Sequence, residues 1–133
     1  MIKYLLDTNM LIYTIKNRPV SVREKFNHFS GQMAISTITI GELIYGVEKS
    51  SNPARNLADI EGLIARLEVL DFNQQAAEHF GEIRANLYRK GQPIGPYDMM
   101  LAGHARSQGL VLVTNNVKEF ERVGGLRIEN WVV

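Results

Sequence analysis

The chain has 133 residues, of which 45% are hydrophobic and 22% are charged, and this is typical of one folded domain of roughly 100–150 residues. It has no cysteine, which excludes a disulfide scaffold, a thiolate metal site and a cysteine nucleophile. Fifteen Lys and Arg residues oppose fourteen Asp and Glu residues, so the net charge of +1 excludes a protein that holds nucleic acid by charge alone.

The ends and the apolar runs of the chain predict a single domain over residues 1–133 with no membrane association. No apolar run approaches the roughly 20 residues that span a bilayer. The first residues, MIKYLLDTN, lack the layout of a signal peptide. We therefore expect a cytoplasmic protein.

Five short apolar runs are typical of buried strands, because each is uninterrupted and bounded by polar or turn-forming residues. In chain order they cover 2–6, 33–35, 67–70, 110–113 and, most weakly, 126–128. Helical spacing of apolar residues predicts helices over 41–48, 53–67, 74–89 and 96–108. Asn52 is a good cap for a helix whose first residue is Pro53, and Pro96 opens another helix that ends at Gly109.

Short buried strands that alternate with helices predict an α/β fold with a parallel sheet covered on both faces. In such sheets ligands bind beyond the carboxyl ends of the strands. Three acidic residues are predicted to lie at that edge. Asp7 follows the first strand, Glu42 lies early in the helix after the second strand, and Asp98 comes two residues after Pro96.

Two explanations of these acids stay open from spacing alone. Asp7 could cap a helix, Glu42 could form a capping box with Thr39, and Asp98 could interact with a helix dipole. Alternatively the three carboxylates converge, and their repulsion requires a proton or a bound cation. Mg²⁺ or Mn²⁺ would suit such a site, because hard divalent cations prefer oxygen ligands.

The order of four motifs is far more specific than any one of them. These are LLDTN at 5–9, STITIGELIYGVEKS at 36–50, QPIGPYDMMLAGHARSQGLVLVTNN at 92–116, and the closing VKEFERVGGLRIENW at 117–131. With them the chain resembles, from end to end, a PIN-domain ribonuclease, and more closely a VapC-type toxin of a toxin–antitoxin pair. The resemblance implies a three-layer α/β/α sandwich with a central, mostly parallel sheet.

The resemblance also implies cleavage of RNA phosphodiester bonds with Mg²⁺, for which Mn²⁺ can substitute. Asp7 and Asp98 would hold the ion directly, and Glu42 would hold it through water or orient the attacking water. The family's polar position after the fourth strand falls on Asn116, where many members have an aspartate. A neutral asparagine is a weaker ligand, and the nearby Glu119 could supply the charge, although its place in a helix is more typical of a surface residue.

Smaller roles follow for the neighbouring polar residues. Thr8 and Asn9 are expected to position the Asp7 carboxylate, and Thr114 and Asn115 to support the site or the substrate. His104 lies in an apolar helical stretch and is expected to be a packed, hydrogen-bonded residue without a part in catalysis.

The resemblance implies partners as well. It predicts a cognate VapB-type antitoxin, a homodimer and a toxin–antitoxin hetero-oligomer. It predicts RNA as the substrate, in particular the anticodon stem-loop of a transfer RNA such as initiator tRNA. Apolar residues of 40–47 and 53–67 could form an antitoxin groove or a dimer contact, with simple core packing as the alternative.

Two other functions are weighed against this one. A receiver-like α/β signalling module also places a carboxylate after a strand, but it needs a second acid near Asp7 and a lysine where this chain has 114–116. A non-catalytic RNA-binding domain would not need all three acids. With three of the fourteen acidic residues in one pocket, the remaining surface would be more basic than the net charge suggests.

Overall fold

Five strands form the centre of the computed structural model, which describes residues 1–16 and 19–132. All five predicted strands are present, with small shifts at their ends. Their bounds are β1 Tyr4–Leu6, β2 Met33–Ser36, β3 Glu68–Leu70, β4 Val111–Val113 and β5 Arg127–Glu129. They build one sheet in the order β3-β2-β1-β4-β5, and every pairing is parallel.

Seven helices are found among the described residues. Their bounds are α1 Thr8–Lys16, α2 Val20–His28, α3 Thr37–Glu48, α4 Pro53–Ile64, α5 Gln74–Arg89, α6 Pro96–Ser107 and α7 Val117–Phe120. The four predicted helices correspond to α3–α6. As predicted, Asn52 caps α4, since its Oδ1 accepts the backbone N–H of Arg55 at 3.4 Å. Within the described part of the chain, no helix is long and apolar enough to cross a membrane.

The sheet separates two hydrophobic cores, which confirms the predicted three layers. Side chains alternate along β1, so Tyr4 and Leu6 pack on one face and Leu5 packs on the other. Helices α1–α4 contribute Met10, Leu11, Val22, Phe26, Leu43, Val47, Ile60 and Leu63 to the first core. Helices α5 and α6 contribute Ile83, Leu87, Met99, Leu101, Ala102 and Ala105 to the second.

The strand order creates a switch point between β1 and β4. From β1 the chain adds β2 and then β3 on one side, and it later adds β4 and β5 on the other. The connections therefore leave the carboxyl ends of β1 and β4 in opposite directions, and a crevice opens between them. Asp7 stands directly after β1 and Thr114 directly after β4, so both lie at this crevice.

Candidate active site

Asp7 is a buried carboxylate held by hydrogen bonds at the end of β1. Its side chain is only 5% exposed, and its Oδ1 accepts the backbone N–H of Met10 at 3.0 Å. Burial raises the pKa of Asp7, the charge of Glu42 raises it further, and hydrogen bonds from Thr114, Met10 and Asn9 oppose the rise. Asp7 thus caps α1 and also faces the crevice. The two explanations of this residue, a helix cap and a member of an acidic site, are therefore compatible.

Glu42 lies in the second turn of α3 and is held by a residue at the start of α1. The hydroxyl of Thr8 donates to its Oε1 at 2.9 Å. The alternative explanation of Glu42, a capping box with Thr39, does not hold, because Ser36 is the N-cap and its Oγ accepts the N–H of Ile38. Glu42 is therefore too far along α3 to reach the cap. The role expected of Thr8 changes too, since its hydroxyl binds Glu42 instead of Asp7.

Asp98 carries the clearest electrostatic sign of a shared site. It lies in the first turn of α6, where a helix dipole alone would favour the ionised form. Its pKa is nevertheless raised from 3.8 to about 6, chiefly by burial and then by the negative charges of Asp7, Glu119 and Glu42. The three predicted acids, together with a fourth, therefore lie within electrostatic reach of one another.

The fourth acid is Glu119, which is half-buried and is not the solvated helix residue expected from the sequence. The Nδ2 of Asn116 donates to Glu119 Oε2 at 2.9 Å, and the N–H of Asn116 donates to the Thr114 hydroxyl at 3.0 Å. Asn116 thus ties Glu119 to the end of β4. The spacing of three residues between them in a first helical turn was the signal available in the sequence.

The remaining predicted residues have less direct positions. Asn9 is exposed, and its contact with Asp7 is made by its backbone. The Nδ2 of Asn115 donates to the Tyr13 hydroxyl at 2.9 Å. His104 is fully buried, its Nδ1 lies 2.8 Å from Ser36 Oγ, and burial lowers its pKa. Its packed, hydrogen-bonded position agrees with the prediction.

The oxygen atoms of these acidic side chains are the type of ligand that a hard divalent cation prefers. Asp7, Glu42, Asp98 and Glu119 offer carboxylate oxygens, and none of them forms a salt bridge with a residue in the described ranges. Within the described ranges, no cationic side chain therefore neutralises them through an ion pair. Among residues 1–16 and 19–132, no three acidic or histidine side chains stand close enough to hold a metal ion as they are. The carboxylates would have to move together around an ion.

A cleft of about 790 Å³ opens beside Glu42. It is named here the tyrosine cleft, and it is lined by Thr8, Ile12, Thr37, Ile38, Gly41, Glu42, Tyr45, Gly46, Lys49 and Tyr97. A second depression of about 330 Å³, named here the aliphatic groove, shares Thr8, Ile12, Glu42 and Gly46 with it. Residues of α1, α3 and α4 line it, among them Ile12, Ile15, Leu43, Val47 and Ile60.

Comparison with known proteins agrees with this geometry. The family model described as "PIN domain" matches residues 4–126. A protein named tRNA(fMet)-specific endonuclease VapC from Shigella flexneri is 62% identical, and the match covers 98% of this chain and 99% of the relative. A protein of the same name from Salmonella typhimurium is 63% identical over the same shares of the two chains.

Solved structures are similar over the same length. A chain in the crystal structure of DNA-bound VapBC from Salmonella typhimurium matches with a TM-score of 0.94 and 62% identity, covering 98% of this chain and 99% of that one. A chain in VapBC2 from Rickettsia felis, bound to a DNA fragment from its promoter, matches with a TM-score of 0.92 and 39% identity at the same coverage. The likeness therefore includes the strand ends that carry the carboxylates.

Proposed function

Because the chain belongs to the PIN-domain family, we propose that it is an endoribonuclease and the toxin of a VapC-type toxin–antitoxin pair, formed as one domain over 1–133. The observation that carries this proposal is the group of four carboxylates at the carboxyl edge of the sheet, which form no salt bridge with the residues that the structure describes and which raise the pKa of Asp98 together with its burial. Neither a receiver-like module nor a non-catalytic RNA-binding domain gains support from the relatives, which are named as nucleases.

The activity we propose depends on a divalent cation, and Mg²⁺ is the ion proposed, with Mn²⁺ as a substitute. When bound, such an ion activates water and stabilises charge on a phosphoryl oxygen. Asp7 and Asp98 would hold it, with Glu119 adding negative charge nearby. Glu42, fixed by the Thr8 hydroxyl, would orient the attacking water.

Hydrolysis of this kind places the new phosphate on a defined end. Water attacks the phosphorus in line with the leaving 3′ oxygen, which leaves a 5′-phosphate and a 3′-hydroxyl. His104, the histidine nearest these acids in the sequence, is buried and bound to Ser36, so it does not serve as the base.

The relatives' names extend the proposal to substrate and partner. Two of them are named for tRNA(fMet), and we propose the anticodon stem-loop of initiator tRNA as the substrate. The cytoplasm is the proposed location of the reaction. The solved complexes are named VapBC, and we propose that a VapB-type antitoxin covers the aliphatic groove. A cationic antitoxin side chain reaching the carboxylates would replace the metal ion electrostatically. Homodimers of the toxin would be part of this hetero-oligomer.

The test compares Asp7→Asn with the wild-type protein. Asparagine also caps helices well, so the variant should fold and bind antitoxin while losing RNA cleavage and toxicity. Glu61→Gln, at an exposed position of α4 outside the lining of both depressions, is the matched control and should cleave normally. Sequencing of the RNA ends after brief induction in cells should show 5′-phosphates, with cuts in initiator tRNA. Full cleavage by Asp7→Asn, or products with 2′,3′-cyclic phosphates, would overturn the mechanism.

A further inference from the structure

We propose that Tyr45 and Tyr97 are stacking surfaces for unpaired RNA bases beside the scissile phosphate, and that Lys49 holds a backbone phosphate of the same strand. This inference rests on the proposed ribonuclease function and adds how the RNA is held. The ligand class is a single-stranded or looped RNA segment whose bases are turned out of the helical stack.

The exposure of the two rings is the first observation. Tyr45 is 67% exposed and Tyr97 is 56% exposed, although burial of a tyrosine ring is strongly favourable. Both rings line the tyrosine cleft, and they belong to different helices, α3 and α6. Two exposed aromatic rings in one cleft provide flat surfaces on which bases of any sequence can stack.

Their position relative to the carboxylates is the second observation. Tyr45 lies three residues after Glu42 and therefore on the same side of α3, and Tyr97 directly precedes Asp98 in α6. Glu42 and its partner Thr8 line the same cleft as the rings. A nucleotide stacked on either ring would therefore place its backbone near the acidic residues.

The third observation is the charge in the cleft. Lys49 lies directly after α3, and its Nζ is 4.9 Å from the centroid of the Tyr45 ring. It adds a positive charge to a cleft that also contains the Glu42 carboxylate. RNA presents bases next to phosphates, and an aromatic ring beside an ammonium group matches that pairing.

The neighbouring aliphatic groove provides the contrast that favours RNA over a protein in the tyrosine cleft. That groove is lined by branched aliphatic side chains such as Leu43, Val47 and Ile60, which suit the apolar face of a protein helix. Tyr45, Tyr97 and Lys49 do not line it. The two depressions thus differ in the chemistry of the partner that they fit.

The experiment measures binding and cleavage of an RNA hairpin with the sequence of the initiator-tRNA anticodon stem-loop. Tyr45→Ala and Tyr97→Ala should each weaken binding and raise KM by about 5- to 150-fold, with a much smaller change in kcat. Tyr45→Phe and Tyr97→Phe keep the ring and should stay within about twofold of the wild-type protein. Lys49→Ala should lower the salt dependence of binding.

Tyr88→Ala is the matched control, because Tyr88 is also 56% exposed and has the Arg84 guanidinium 5.6 Å from its ring centroid, yet it lies outside the cleft. It should bind the hairpin like the wild-type protein. Unchanged binding by both cleft alanine variants, or equal losses in the phenylalanine variants or in Tyr88→Ala, would overturn the inference.

Two further outcomes are distinguished by the same measurements. If the cleft variants lose antitoxin binding while RNA binding is unchanged, the rings serve a protein partner and the inference is wrong. If the wild-type protein itself neither binds nor cleaves the hairpin or any cellular RNA, the proposed function fails as well. Cleavage by the wild-type protein with unaffected tyrosine variants rejects the stacking role alone.

Discussion

At the scale of one residue, the carboxyl group of Asp98 shows how the group of acidic residues lowers the stability of the folded protein. Its pKa in the folded protein, about 6, lies above the ordinary value of 3.8. The folded state therefore holds the proton more tightly than the unfolded state does, and stability without metal falls as the pH rises through this interval. Burial is the main cause, and repulsion from Asp7, Glu119 and Glu42 adds to it.

Asp98→Asn should therefore raise the melting temperature of the metal-free protein at pH 7. Because the side chain is partly exposed, solvent screening leaves a gain of about 1 kcal/mol, equivalent to a few degrees. The gain should vanish near pH 4, where the wild-type carboxyl is protonated in the folded protein. Thermal unfolding in a chelating buffer at the two pH values measures it. Glu61→Gln should show no such dependence, and an equal gain for Asp98→Asn at both pH values would contradict the account.

Thr8 acts at the same scale through a single hydrogen bond. Its hydroxyl donates to the Glu42 carboxylate at 2.9 Å and so joins the start of α1 to α3. Thr8→Val keeps the shape of the side chain and removes the donor. Cleavage should fall by about 10- to 100-fold, as is usual when a group that orients a metal ligand or a catalytic carboxylate is lost.

Thr8→Ser is the matching control, because it keeps the hydroxyl and should retain most of the activity. Single-turnover cleavage at saturating Mg²⁺ separates a loss of rate from a loss of metal affinity. Wild-type rates in Thr8→Val at every Mg²⁺ concentration would show that Glu42 is positioned without this bond.

At the scale of elements, α5 and α6 pack closely because of Gly103. A Cβ atom placed there would lie 2.7 Å from the backbone nitrogen of Phe80 and 3.1 Å from the carbonyl oxygen of Ala76. Those atoms belong to the helix backbone and cannot turn aside as a side chain could. The packing of α6, which carries Asp98 in its first turn, therefore depends on this glycine.

Gly103→Ala should lower the free energy of unfolding by about 1–3 kcal/mol, the usual cost of overpacking. Gly81→Ala is the matched control, because Gly81 is an exposed glycine of α5 with no atom within 4 Å of its added Cβ. That variant should gain about 0.5–1 kcal/mol from the better helix propensity of alanine. Urea denaturation of the two variants measures both effects, and a neutral or stabilising Gly103→Ala would show that the helices can separate at no cost.

Elements with strong local signals could be predicted from the sequence, and those that depend on tertiary contacts could not. The Asn52–Pro53 pair and the apolar run before Asp7 locate α4 and β1 because caps and short buried runs are local. Helix α1, with the sequence TNMLIYTIK, contains a short apolar run, and periodicity alone does not distinguish helix from strand in so short a run. Helix α2 buries only Val22 and Phe26, which is too weak a pattern.

The same division applies to the site. The ends of the strands predicted where Asp7, Glu42 and Asp98 would lie, because parallel strands end at a common edge. The bond between Thr8 and Glu42 joins residues 34 positions apart, and no local pattern encodes it. Whether these residues act in catalysis stays a prediction until Asp7→Asn is measured.

At the scale of the whole molecule, the surface combines an acidic crevice with two depressions that meet it at Thr8 and Glu42. We have proposed RNA for the tyrosine cleft and an antitoxin for the aliphatic groove. Both partners then meet at the carboxylates, so they compete even though their main contacts are on different surfaces. A substitution at the far side of the aliphatic groove should therefore separate inhibition from catalysis.

Ile15 provides that substitution, because it lines the aliphatic groove, is 37% exposed and is absent from the lining of the tyrosine cleft. Ile15→Glu should weaken binding of the cognate antitoxin by about tenfold or more, since a charge would be buried against an apolar partner. Cleavage of the tRNA hairpin by the free toxin should be unchanged. Val20→Glu, at a 58% exposed position of α2, is the control and should leave both measurements unchanged. Titration of cleavage with antitoxin measures both the activity of the free toxin and its inhibition. An apolar partner helix could not cover a glutamate without loss of affinity. Full inhibition of Ile15→Glu at the antitoxin concentrations that inhibit the wild-type protein would therefore place the antitoxin elsewhere.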